Sequence, residues 1–145
     1  MKFKVKDIMH NQSIPSQYTC DGNDVSPEIS WGELPEGTLS LALSVIDPDA
    51  PMGAFTHWLV YDIDPNAGSI PMGGPLPAGT KEAENDFGAT NYDGPCPPSG
   101  EHRYFFTLYA LDVTYLEGAT KASFQTLVKQ HMIDSAEVVG LYKRN

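Results

Sequence analysis

Basic residues are scarce in this chain. Two arginines, Arg103 and Arg144, stand among nine basic side chains, against 19 Asp and Glu, for a formal net charge of −10. That balance excludes the basic footprint of nucleic-acid binding and opposes docking on an anionic bilayer. Long hydrophobic runs are missing too, and nothing approaches the ~20 apolar residues of a membrane span. The N-terminal Met1-Lys2-Phe3-Lys4-Val5-Lys6 alternates charged and apolar residues instead of offering a signal peptide's apolar core, so a cytoplasmic location is expected. Two cysteines, Cys20 and Cys96, are too few for a disulfide scaffold.

The 145 residues include 41% hydrophobic and 10% aromatic side chains, enough to build one packed domain spanning 1–145. The 13 glycines and 12 prolines exceed the roughly 12% share ordinary for that pair. They cluster in the loops Pro65 to Thr80 and Asp86 to Gly100. The second loop also carries Phe87, Tyr92 and Cys96, which is too apolar for disorder and suits an ordered binding loop.

The dominant period is two, the mark of half-buried strands. It runs through Lys2–Ile8, Leu39–Ile46, His57–Ile63, Arg103–Val113 and Glu137–Tyr142. Arg103–Val113 is aromatic on both faces and is predicted to be central. One helix is expected near the C-terminus, capped by Thr120 or Ser123, with Phe124, Leu127, Val128 and His131 at helical spacing. No βαβ alternation is visible, which excludes a doubly wound parallel sheet. The expectation is a mainly β protein of antiparallel strands.

Two segments concentrate chemistry. Asp47-Pro48-Asp49-Ala50-Pro51 follows an apolar strand, and the next strand opens on His57-Trp58. If those strands are antiparallel neighbours, Asp47 and His57 share one end of the sheet. Gly94-Pro95-Cys96-Pro97-Pro98 leads to His102-Arg103-Tyr104, where alternation puts His102 and Tyr104 on one face and Arg103 on the other. Two imidazoles and a phenol can donate to an anionic oxygen, an Asp can orient an imidazole, and prolines make stiff walls. Enzyme readings are weaker. The Asp-x-Asp after a strand lacks the parallel sheet that an aspartyl-phosphate nucleophile uses. His57, His102, Asp47 and Asp49 are metal-ligand types without a close His pair. No Gly-x-Ser-x-Gly elbow occurs, and Cys96 has no adjacent base.

These segments resemble the phosphatidylethanolamine-binding protein family, also called the Raf kinase inhibitor protein family, and chiefly its compact bacterial and archaeal branch. The similarity is carried by Cys20-Asp21-Gly22, Ser26-Pro27, Trp31, Asp47 to Pro51 with Phe55 and His57-Trp58, Asn85-Asp86-Phe87-Gly88, Tyr92, Gly94 to Pro98, His102-Arg103-Tyr104 and Leu108 to Asp112. It implies two antiparallel sheets with Greek-key connections and an anion-accepting pocket. Position by position, Asp47, His57, Pro97, Pro98, His102 and Tyr104 would line that pocket, with Asp49 and Arg103 paired behind it. The chain lacks the C-terminal helical extension of the animal members and has a shorter loop after Asp47 to Pro51, so control of eukaryotic kinases is not implied.

The functional expectation is a non-catalytic module, without cofactor or metal, that binds a small anion bearing a phosphate or carboxylate group. The alternative is a protein inhibitor of a kinase or serine protease acting through its loops. The resemblance also allows a homodimer. A Cys20–Cys96 bridge would close a loop of about 77 residues and stabilise by roughly 4.5 kcal/mol in the chain-entropy model. The cytoplasmic expectation argues instead for free thiols. Gly94–Pro95, Cys96–Pro97 and Pro97–Pro98 carry the ordinary cis share of about 5% each.

Overall fold

The computed structural model describes residues 1–144. Its strands are β1 (Lys2–Val5), β2 (Gln12–Ser13), β3 (Ile29–Gly32), β4 (Ser40–Asp47), β5 (Phe55–Ile63), β6 (Ser69–Ile70), β7 (Lys81–Ala83), β8 (His102–Leu111) and β9 (Met132–Tyr142). Among the described residues a single α-helix, α1 (Phe124–His131), runs straight into β9. The protein is therefore mainly β, with its helix near the C-terminus.

Two sheets result. The smaller has the order β1-β3-β6 and the larger β2-β9-β8-β4-β5-β7. In the larger sheet β4, β5 and β7 follow one another, and the chain then returns to lay β8 beside β4. That spatial order, 8-4-5-7, is a Greek key. Every pairing is antiparallel except β2 with β9, which is parallel. One parallel edge pairing of two residues leaves the sheets mostly antiparallel, as expected. β8 is central, as its two aromatic faces predict, paired to β4 on one side and β9 on the other.

The larger sheet is covered on both faces. Leu41, Leu43 and Val45 of β4, Val60 of β5, and Phe106 and Leu108 of β8 pack with Val5, Ile29 and Ile70 of the small sheet. Ala42, Leu59 and Leu111 turn the other way, onto Phe124 and Val128 of α1. β4, with strands on both sides and cover on both faces, is consequently buried along almost its whole length. Period-two alternation assigns these residues to their faces directly. Thr120 and Ser123 bond each other ahead of α1, and the Ser123 hydroxyl donates to the Gly118 carbonyl instead of capping the helix.

The cysteines depart from expectation. Cys20 and Cys96 form a disulfide, their Cα atoms 5.4 Å apart, so the free-thiol expectation is wrong. The backbone explains the proximity: the Cys20 amide donates to the Pro95 carbonyl at 3.1 Å. A compartment argument has no access to that contact. The cis peptide lies at Gly74–Pro75 rather than at any of the prolines around Cys96. No helix of the described residues is long and apolar enough to cross a membrane.

Closing so long a loop constrains the unfolded chain strongly. Replacing both cysteines by serine is expected to lower the unfolding free energy by about 2–5 kcal/mol in urea denaturation; an unchanged midpoint contradicts a structural role for the bond.

Candidate functional site

The site forms where β4 ends, β5 begins and β8 begins. Antiparallel register sets Asp47 opposite Phe55, at the ends of β4 and β5. The Asp47 carboxylate closes the first turn of the following loop by accepting the Asp49 amide at 2.7 Å. Its other oxygen accepts from Nδ1 of His102 at 2.6 Å, with both side chains buried. One carboxylate thus ties β4, the loop and β8 together.

His57 reaches the same place through a β-bulge. Val45 pairs with Trp58 and Ile46 with Thr56, so His57 is the extra residue between them. Bulges re-aim side chains. Trp58 stays in the inter-sheet core while His57 also turns to that side, 5.3 Å from the Tyr104 ring, edge to face. His57 Nδ1 lies 2.6 Å from the Asp93 carbonyl oxygen. Because a carbonyl cannot donate, that nitrogen carries the proton.

Tyr104 forms the floor. Its ring is fully buried, and among the described residues its hydroxyl completes no hydrogen bond, although the Asp47 carboxylate stands close enough to attract its proton. Burial, reinforced by the charge of Asp47, raises the phenol pKa above its ordinary value. Burial likewise pushes the His57 pKa down, against the Asp93 carbonyl and the carboxylates of Asp47, Asp93 and Asp24. Outside the pocket, Arg103 binds both oxygens of Asp49, through Nε at 2.9 Å and an Nη at 2.8 Å. Those bonds hold the Asp49 carboxyl down to about 2. The Arg103 amide also donates to Asp49, at 2.9 Å.

Asp47, His57, Pro97, Pro98, His102 and Tyr104 surround one cavity of about 300 Å³. Ala50, Pro51, Met52, Phe55, Phe87 and Cys96 complete its wall. Phe87 stands edge-on to Phe55 at 4.8 Å and to His57 at 5.5 Å. Phe55 was legible only through the family resemblance, since the strand was expected to open at His57 and it opens at Phe55; Phe87 was legible as an apolar residue in an ordered loop. The Asp93 carbonyl had no signal, since any residue supplies one. Among the described residues, no three His, Cys, Asp or Glu side chains converge as metal ligands.

The wall behind His57 hangs on Asn85, which is wholly buried. Its Nδ2 contacts the His57 carbonyl (3.2 Å), the Asn91 carbonyl (3.0 Å) and Asp93 Oδ2 (2.9 Å). Its Oδ1 accepts the Phe87 and Ala89 amides. Gly94 is fixed in turn by its amide donating to Asp24 at 2.8 Å. A Cβ at Gly94 would overlap the Tyr18 carbonyl oxygen, which only glycine avoids.

A two-sheet β protein with an apolar-walled pocket over oriented histidines, at strand ends of its larger sheet, is a recognisable class. The family model for the phosphatidylethanolamine-binding protein matches residues 4–143, and the chain belongs to that family. A UPF0098 protein of Methanothermobacter thermautotrophicus is 45% identical over 150 residues, covering 99% of each chain. One from Aquifex aeolicus is 43% identical, over 97% of this chain and 86% of the relative. Among solved structures, E. coli YbcL, described as a new member of the mammalian PEBP family, superposes with TM-score 0.93 at 28% identity, covering 99% of this chain and 98% of that one. CT736 of Chlamydia trachomatis gives 0.91 at 33% identity, over 99% and 97%.

Truncating Asn85 removes at once its bonds to four partly or fully buried backbone groups. Asn85→Ala is expected to cost about 2–4 kcal/mol in urea denaturation, and to shift the His57 imidazole signals in the folded fraction. A cost below ~0.5 kcal/mol rejects its role as the organiser of this wall.

Proposed function

We propose that the chain is a non-catalytic binding protein for a small anionic group, a phosphate or carboxylate, held over Tyr104 between His57 and His102. The observation that carries this reading is the Tyr104 hydroxyl, buried without a partner at the floor of the cavity. An orphaned buried donor costs about 1–3 kcal/mol, and an oxyanion in the cavity would relieve it. Nδ1 of each histidine is already engaged, so Nε2 is the ring atom left to the ligand. Cys96 sits in a disulfide and offers no thiolate nucleophile to the pocket, in keeping with binding rather than covalent chemistry.

Affinity should be modest and dependent on pH. A net charge of −10 opposes any anion, whereas each protonated imidazole adds an Nε2 donor. The stability of the free protein runs the opposite way. His57 titrates lower in the folded protein than its unfolded value near 6.5. Its contribution is therefore complete above that pH and is lost as pH falls below it. The ligand-free protein should melt lower at pH 5 than at pH 7.5 on this account, and phosphate should raise the pH 5 midpoint.

Met52, 99% exposed, and half-exposed Phe87 on the pocket rim favour a second reading, inhibition of a kinase or protease through these loops. Capture of such a partner that survives Tyr104→Phe but is lost when Met52 is made Asp would select it.

Tyr104→Phe tests the main reading. Removing a hydroxyl that bonds to nothing should leave stability unchanged or raised, while phosphate affinity falls by about fivefold to a hundredfold. Phosphate should also move the His57 and His102 signals in an NMR titration. Histidine signals that stay fixed at millimolar phosphate reject the proposal.

A further inference from the structure

The histidine geometry carries the same site one step further, on the assumption that it binds anions at all. His57 Nδ1 donates to the Asp93 carbonyl at 2.6 Å. The neutral ring can bear only one proton, so its Nε2 presents a lone pair and no hydrogen. Nothing among the described residues bonds to that atom, and the ring lines the cavity. Beside it, 5.3 Å from ring centre to ring centre, stands Tyr104 with its unpartnered hydroxyl. The pocket floor therefore offers an acceptor and a donor side by side. Asp47 adds a second fixed acceptor group close by, bonded to His102 and to the Asp49 amide.

We infer that the site selects an oxyanion that itself carries a proton, of which hydrogen phosphate is the simplest, with the ligand P–O–H donating to His57 Nε2 and a ligand oxygen accepting from Tyr104. Sulfate and phosphodiesters only accept. Against a neutral His57 they set an oxygen lone pair facing a nitrogen lone pair, and the acceptor stays unpaired. A site built around a ligand hydrogen bond rejects analogues that lack it far more strongly than it rejects a small change of shape. A phosphodiester headgroup is for this reason a poorer fit than the free anion.

The preference belongs to the neutral ring and should fade when His57 gains its second proton, because Nε2 then donates to any oxyanion. Every group facing His57 bears on that step. They are the Asp93 carbonyl and carboxylate, the carboxylates of Asp47 and Asp24, the Tyr104 phenol, and the His102 imidazole that lines the same cavity, with Phe55 and Phe87 as the apolar cover. Burial holds the ring neutral at pH 8 in spite of the three carboxylates.

The experiment is a calorimetric titration of the intact, disulfide-bonded protein with inorganic phosphate, sulfate and dimethyl phosphate, at pH 8 and pH 5. At pH 8 phosphate should bind roughly a hundredfold more tightly than the other two, and at pH 5 sulfate should gain most of that back. Equal affinity for all three at pH 8 overturns the selection rule and leaves anion binding standing. No binding of any of them at either pH overturns the anion reading and this inference with it. The imidazole ¹⁵N spectrum of the free protein at pH 8 gives a check that needs no ligand and no variant. His57 should be the Nδ1–H tautomer, and an Nε2–H tautomer refutes the inference.

Discussion

The buried pair of Asp47 and His102 is the contact on which the pocket depends. It joins the last residue of β4 to the first of β8 at 2.6 Å, and the same carboxylate seats the loop after β4 through the Asp49 amide. A buried charged group without its partner is expensive, at about 3–5 kcal/mol when one member of a pair is removed. The two strand ends and the loop are thus coupled, and a change at any one of them disturbs the ring orientation of His102. Asp49 and Arg103 repeat the tie at the surface, where exposure to solvent makes it worth far less.

Around that pair the structure separates two kinds of material. The floor is polar and fixed by hydrogen bonds to Asp47 and Asp93 and from Asn85. The walls are prolines and aromatics, with the Cys96 side of the wall tied to Cys20 by the disulfide. Prolines have no amide proton and set their own φ, so Pro97 and Pro98 keep their shape without the hydrogen bonds the floor needs. A cavity made this way has few adjustable parts, and the protons its floor groups hold fix which of them donate and which accept.

The larger features of the fold were legible from local chemistry. Alternation in Leu39–Ile46 and Arg103–Val113 located β4 and β8 and assigned their faces, because strand period and core burial coincide there. The stretch Met132–Ala136 was missed as part of β9 because most of it is exposed, so no alternation is required of it. β2, β3, β6 and β7 are two to four residues long, too short to show a period. Six pocket residues could be named from two segments and a family resemblance, and the structure places them around one cavity. The Cys20–Cys96 bond was misjudged, since redox compartment was weighed where only distance decides.

The sequence by itself determined the acidic character, the β class, the inner and outer faces of the long strands, and the two segments that meet at the pocket. Each of these is a property of neighbours along the chain or of composition. The tertiary structure alone decided that His57 is a bulged residue, that Asp93 fixes its tautomer through a backbone carbonyl, that the cysteines are bonded, and that the Tyr104 hydroxyl completes no hydrogen bond among the described residues. Those facts depend on groups brought together across the fold, many of them main-chain atoms common to every residue, and for such contacts the order of side chains holds no record.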